Sequence, residues 1–319
     1  MNRNHRPRRL SLCFLLCSFL SLALASPIRA ENSQADFVNL HVSKSFNTPL
    51  FSKKVPLREG DSVLDLLRRH TEIQTAHAGA FVAQINHIPE EVGVPSDFEW
   101  FYYVNGILAS IGALGYYPKT GESIWWDYHR WKTGIYVSAV VGQFPEPFRS
   151  GYQGEIRPTQ IVYAPGLEDE AKQLLAALLK SGVNEVEAKP LQDQIPEDTS
   201  HYYIVLAPWD AFAQSSRIQF ALKEPAKSGF HVRFKEDGSL LATSVKEDHS
   251  ISGKTLGFIL ALNPMFQTSP LWLVSGNNLS SVKAVNQLLL ASPSKLEHYA
   301  AVVLADGRLI NVPLSVLGN

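Results

Sequence analysis

The sequence predicts an α+β protein in two parts: a small mixed sheet curled round one helix, then an α/β sandwich with a mixed sheet. Three observations carry this. Residues 37–131 hold short strand-like runs with a single short helical pattern among them. From residue 160 onward, strand-like and helix-like runs alternate. Between them, residues 142–159 hold three Gly and three Pro around Phe144-Pro145-Glu146-Pro147-Phe148, which marks a linker with aromatics to dock it. The expected layout is residues 31–141, a linker over 142–159, and a second domain over 160–319. A length of 319 residues with 45% apolar and 18% charged side chains fits two globular domains.

The first 30 residues read as a secretion signal. Arg3, Arg6, Arg8 and Arg9 precede an almost wholly apolar run from Leu10 to Ala25, and Ser26-Pro27 breaks it. Cleavage is expected after Ala30, with Ala25 as the alternative, and an uncleaved membrane anchor is the competing reading. Cys13 and Cys17 both leave with the signal, so the mature chain is expected to lack cysteine and to rest on its core alone. Five arginines leave as well. The remaining 24 basic side chains against 30 acidic ones give a net charge of about −6, which argues against nucleic acid and anionic membrane surfaces. The expected location is secreted or extracytoplasmic, associated with a bacterial cell envelope.

In chain order, Val38–Val42 and Lys54–Leu57 read as strands across Asn47-Thr48-Pro49. Gly60-Asp61-Ser62 then caps a short helix whose stripe is Val63, Leu64, Leu66 and Leu67. Ser62 and Asp65 are spaced for a capping box, and Arg68, Arg69 and His70 suit the helix C-terminus. Ala80–Asn86 reads as a strand. Phe98–Val104 is an aromatic strand ending in Asn105-Gly106, a strong hairpin signal, and Ile124–Tyr128 is a second aromatic strand. Hairpin, helix, strand, hairpin is the layout of a β-grasp. Residues 98–131 hold eleven of the 33 Phe, Trp and Tyr. Trp100, Tyr102 and Val104 alternate with Phe101 and Tyr103, so both faces of the sheet are aromatic. The second face is expected to meet a ligand, a partner or the C-terminal domain.

In the second part, strands are expected at Gln160–Ala164, Asn184–Lys189, Tyr202–Leu206 and Leu271–Val274, with a pair, Phe230–Phe234 and Leu240–Ser244, across Asp237-Gly238. Helices are expected over 168–181, burying Ala171, Leu174, Leu175, Leu178 and Leu179, over about 209–222, and over 279–290. A hairpin at Asp306-Gly307 ends the chain.

No motif of a hydrolase, zinc protease, nucleotide-binding loop or dinucleotide fold is present, so no catalytic residue and no enzyme activity are expected. A pocket joining, for example, Glu122, Asp127 and His129 would reopen the enzyme reading. Nine histidines beyond residue 30 are scattered, and no metal site is expected from them. Ser275-Gly276-Asn277-Asn278 leads a strand into a helix start. It reads either as an anion cradle or, more simply, as a capped loop.

Four stretches then carry a resemblance. Val55-Pro56-Leu57 through Gly60–Leu67, Phe81–Asn86, Trp100–Gly106 and Gly121–Tyr128 are similar, in order, to the transcobalamin-like C-terminal domain, a β-grasp module of cobalamin carriers and of exported bacterial proteins. The resemblance covers about residues 37–131. It departs at His87, where the family usually has Gly, and the helical barrel of the carriers is missing. It implies capture of a small molecule, with cobalamin or another corrinoid as a transported ligand rather than a cofactor. A membrane transporter component is the implied partner. The implied ligand-binding residues are Trp100, Tyr102, Tyr103, Asn105, Trp125, Trp126 and His87. The alternative is a structural or protein-interaction module of the envelope with no small ligand.

Overall fold

Alternating burial shapes the first part. The computed structural model describes residues 36–93, 96–131, 136–243, 248–263 and 267–314, so the expected signal lies outside the described residues. Strands β1 (Phe37–Lys44) and β2 (Thr48–Pro56) form a hairpin, with every second residue of β1 up to Val42 turned into the core. Helix α1 (Val63–His70) follows, buries Val63, Leu64, Leu66 and Leu67, and starts on the Ser62/Asp65 capping box. Strands β3 (Ile73–Ala76) and β4 (Phe81–Ile85) pair only with each other. Strands β5 (Phe98–Val104), β6 (Ile107–Leu108) and β7 (Ser123–Arg130) complete a five-stranded sheet of order β2-β1-β7-β5-β6. β1 and β7 run parallel at its centre and the other pairs are antiparallel.

Two expectations change here. Asn105-Gly106 joins β5 to the two-residue β6, with both residues at positive φ (51° and 80°), while β7 pairs along the other edge of β5. The strand at Phe81–Ile85 forms, but it pairs with β3 outside the main sheet.

The second part contains β8 (Thr159–Tyr163), α2 (Glu168–Lys180), β9 (Val186–Pro190) and β10 (Tyr202–Pro208), then α3 (Ser216–Lys223) and α4 (Pro225–Ser228). Next come β11 (Val232–Phe234), β12 (Leu240–Ala242), β13 (His249–Ile251), β14 (Leu256–Leu262), β15 (Leu271–Gly276), α5 (Leu279–Ala291), β16 (Ala301–Ala305) and β17 (Arg308–Val312). Seven strands order as β17-β16-β14-β15-β10-β8-β9. The β15-β10-β8-β9 half is parallel and the remainder antiparallel. β11, β12 and β13 form a separate small sheet. The fold is therefore α+β, a β-rich N-terminal portion followed by a further mixed sheet.

Three details of the second part differ from expectation. The helix expected from Trp209 is broken: a 3-10 turn at Trp209–Ala211 buries Phe212 and Ala213 behind it, and α3 starts afresh from extended Ser215. Leu179 is solvent-exposed, so α2 presents a narrower stripe of Ala171, Leu174 and Leu178. β14, buried at all seven positions, was not anticipated. The far end of the strand expected to reach Ser244 falls outside the described residues.

The segment from 136 to 151 binds the two sheets together. Val137 and Val140 pack against the first sheet, while Ala139 and Val141 join the second core. Val140 N–H donates to Gly106 O (2.8 Å) and Val141 N–H to Ala300 O (2.9 Å), so adjacent amides bond to different sheets. Phe148 is fully buried, with ring centroids 5.0 Å from Trp272 and 6.0 Å from Tyr202. Among the described residues no helix is long and apolar enough to cross a membrane. Phe148→Ala empties a site ringed by aromatics and should cost about 3–5 kcal/mol, read as a lower urea midpoint of the full chain.

Candidate functional site

The aromatic strands β5 and β7 place side chains on two faces, and both faces are covered. On the first, Trp100, Tyr102, Val104, Ile124, Trp126 and Tyr128 share one core cluster with the four apolar residues of α1. Trp100 donates from Nε1 to Ile88 O at 3.0 Å, and the Tyr102 hydroxyl donates to Ile111 O. Burial drives the Tyr102 phenol upward in pKa, with nearby Tyr152 adding to it. The rings of Tyr102 and Trp126 lie 5.0 Å apart.

On the second face, Tyr103 and Trp125 are sealed under Phe46, Val137, Val140 and Ala300. The Tyr103 hydroxyl donates to Val137 O at 2.9 Å. Asp127, fully buried, organises the rest. Its Oδ2 accepts from the Ser43 hydroxyl and from Phe46 N–H (2.8 Å), and its Oδ1 sits 3.0 Å from His129 Nδ1. Trp125 Nε1 in turn donates to Ser43 Oγ at 2.7 Å. The His129 ring lies between Phe46 (4.6 Å) and Phe101 (4.7 Å). Serine, aspartate and histidine meet here, but the hydroxyl is bonded to the carboxylate and not to the imidazole. The fully buried Ser43 oxygen also accepts from Trp125 Nε1, so the hydroxyl is held in the core between Asp127 and Trp125 and does not carry the serine–imidazole contact of a catalytic triad.

Asn105 and Gly106 are equally enclosed. Asn105 Oδ1 accepts from Ser123 N–H (2.9 Å), and its Nδ2 donates to Gly151 O (2.7 Å). Gly106 N–H donates to Gln143 Oε1. Glu122 closes this cluster, accepting from the Tyr116 hydroxyl (3.1 Å) and Lys119 N–H (2.9 Å). Burial raises the Glu122 carboxyl above its ordinary range despite those donors. It binds a different set of partners from the Asp127–His129 pair, at the opposite end of β7.

The residues implied as ligand contacts therefore divide. Trp100, Tyr102, Tyr103, Asn105, Trp125 and Trp126 are core and frame, each no more than 9% exposed, because α1 covers one face and the 136–142 segment the other. His87 alone is at the surface, at φ 63°, with its Nε2 3.1 Å from the Glu72 carboxylate. The loop Ser275–Asn278 follows the capped-loop reading: Asn278 Oδ1 accepts from Ser281 N–H, and Asn277 Oδ1 from the Ser281 hydroxyl. Among the described residues no group of three His, Cys, Asp or Glu side chains is placed to hold a metal ion.

A different surface emerges at the rim of the first sheet. Phe81 (61% exposed) projects from the start of β4, and Ile111, Leu114 and Tyr117 (63%) from the loop after β6. Leu114 lies over Gly79, and the His77 and Phe81 rings meet edge to face at 5.5 Å. The loop beneath these side chains is rigidly tied. Tyr116 O and Ala113 O accept the first free amides of α1, Val63 N–H (2.9 Å) and Leu64 N–H (3.0 Å), and Ser110 N–H donates to the Tyr152 hydroxyl (3.1 Å). In the second part, a cleft of about 870 Å³ lies beside α3, lined by Arg217, Phe220, Lys223, Leu262 and Leu271 among others. Its Arg217 guanidinium is committed to Pro196 O at 2.8 Å.

Residues 60–130 match DUF4430, a domain of unknown function. The DUF4430 segment runs from the capping turn of α1 to the end of β7. It contains the Asn105-Gly106 turn, both aromatic strands, the rim, Asp127 and His129. It excludes Ser43, Phe46 and the whole cover of the second face. No curated protein matches the chain. Among solved structures, a Ruminococcus gnavus protein provisionally described as metal binding aligns at 11% identity and a TM-score of 0.25, over 30% of this chain and 97% of that one.

The Asp127 network yields a direct test. Asp127→Ala leaves the Ser43 hydroxyl, Phe46 N–H and the His129 ring without their acceptor in a dry site. It should destabilise the chain by about 3–5 kcal/mol in denaturant unfolding, and Ser43→Ala by less, about 1–2 kcal/mol.

Proposed function

We propose that the protein is an exported, non-enzymatic binding protein whose rim, Phe81, Ile111, Leu114 and Tyr117, takes up a small molecule with an apolar face. A corrinoid is the first candidate ligand, to be passed to a membrane transporter component of a bacterial envelope. The carrying observation is the rim itself. In a segment that buries most of its aromatic residues, Ile111, Leu114 and Tyr117 stand in solvent on a loop that bonds α1, Tyr102 and Tyr152, and Phe81 is exposed at the start of β4. Exposed apolar surface on a rigid support is the signature of a site that binds without reorganising. The corrinoid choice rests on the resemblance to the transcobalamin-like domain, and export on the basic-then-apolar N-terminus.

A second reading has its own support. The second aromatic face is buried against Val137, Val140 and Ala300, as expected for a module without a small ligand, and the rim then meets a protein of the envelope.

Titration of the mature protein with aquocobalamin, followed by absorbance and calorimetry, separates the two. The corrinoid reading expects a spectral change and measurable heat at micromolar concentrations. Phe81→Ser and Leu114→Ser should each weaken binding about tenfold or more while leaving the unfolding midpoint nearly unchanged, since each removes about 1.5–3 kcal/mol of apolar contact. Silence up to high micromolar concentration overturns the corrinoid reading.

A further inference from the structure

The second part carries an opening of its own, well outside residues 60–130. Helix α3 buries Ile218, while Ser216, Arg217, Phe220 and Lys223, spaced i, i+1, i+4 and i+7, share a stripe that lines the cleft of about 870 Å³. Phe220, 73% exposed, is the most exposed large apolar side chain among the described residues. Leu262 and Leu271, register partners across β14 and β15 and both nearly fully buried, close the cleft on its inner side. A cleft of this size, apolar within and bordered by a few polar groups, has the make-up of a small-molecule site.

We propose that this cleft binds a small amphipathic carboxylate, an apolar chain or ring ending in one anionic group. Charge complementarity points there. Arg217 is fixed in place: its Nη1 donates to Pro196 O at 2.8 Å, and its guanidinium carbon lies 6.0 Å from the Tyr203 ring centroid. Its Nε and Nη2 hydrogens have no hydrogen-bond partner among the described residues, and neither atom is fully buried. That edge is the one by which Arg149 holds the Glu146 carboxylate. Lys223, farther along the same wall, is in no ion pair among the described residues. The acids of the lining are already engaged, Glu224 by Lys227 (2.9 Å) and Glu197 by the Ser216 hydroxyl. Asp198, the other carboxylate bearing on Arg217, accepts from the hydroxyls of Ser200 and Tyr203 (2.6 Å from the latter).

Two unpaired cations beside an apolar lining call for one ligand with both characters. The half-buried guanidinium has lost part of its water without gaining a carboxylate, so an arriving anion meets a donor that needs no further ordering. The planar Nε–H and Nη2–H pair matches the two oxygens of a carboxylate. Phe220 and the leucine pair then cover the apolar body. This site shares no residue with the rim of the first sheet and does not depend on the corrinoid reading.

Calorimetric titration of the full mature chain with decanoate tests this. One decanoate should bind, and decyltrimethylammonium, the same chain with the opposite charge, should bind about tenfold or more weakly. Lys223→Glu and Phe220→Ser, both at exposed positions, should each weaken decanoate by about tenfold with the unfolding midpoint unchanged, and Arg217→Lys, which keeps the charge and loses the fork, should do the same. If the Arg217 variant does not fold, the other two decide. Phe81→Ser, on the rim, should leave decanoate binding as it is. No heat up to millimolar decanoate, equal affinity for the cationic analogue, or a loss in Phe81→Ser in place of Phe220→Ser overturns the proposal. Co-sedimentation with phosphatidylglycerol vesicles that decanoate does not compete away assigns the anion to a lipid surface and overturns the soluble ligand.

Discussion

The seat of the Asn105-Gly106 turn is the constraint on which the two-sheet arrangement depends. A side chain at Gly106 would place its Cβ 3.0 Å from Val140 O, and the backbone there sits at φ 80°. Only glycine meets both demands. Its amide and carbonyl are both engaged, by Gln143 Oε1 and Val140 N–H, while the neighbouring Asn105 side chain bonds Ser123 and Gly151. Two residues thus tie β5, β7 and the 140–151 segment into one piece. Because Val141 and Gly142 go on to bond Ala300 and Tyr299, the second sheet hangs from the same turn.

Much of this frame was legible in advance. Asn-Gly after an aromatic strand, the Ser62/Asp65 spacing and the helical stripe of α5 each rest on contacts a few residues apart. What could not be read was distant. Asp127 finds Ser43 and Phe46, 84 and 81 residues earlier, and Tyr103 is covered by Val137 and Ala300. Alternation in β5 reveals two apolar faces but carries no information on what lies over them. β14 is a different case: Leu256–Leu262 is buried on both sides, so it shows no alternation, and its unbroken apolar run was the signal available. The break before α3 has a tertiary origin, with Phe212 and Ala213 turned inward where a continuing helix would carry them elsewhere.

The same distinction governs the site. A concentration of aromatic residues marks where a chain invests in packing, and here tryptophan and tyrosine fill both sides of one sheet: Trp100, Tyr102 and Tyr103 donate to backbone carbonyls and Trp125 to the Ser43 hydroxyl. Aliphatic and aromatic residues of the rim are few and separated in sequence, Phe81 from Ile111, Leu114 and Tyr117. The fold brings the loop after β6 to the turn before β4, with Leu114 over Gly79. Composition pointed to the segment that carries both the buried aromatic faces and the exposed rim.

The parallel pairing of β1 with β7 has a kinetic meaning. Asn39–Lys44 pairs with Ser123–Tyr128, so the centre of the first sheet closes across about a quarter of the chain. The β1–β2 hairpin is local and forms on the microsecond scale, but its inner edge has no partner until β7 arrives. Loop-closure entropy sets the pace of that encounter, which makes residues 123–130 the clock of the N-terminal half. Any nascent or threaded form of the chain that stops short of them carries an open strand edge, the surface on which a waiting chain is most prone to find another copy of itself.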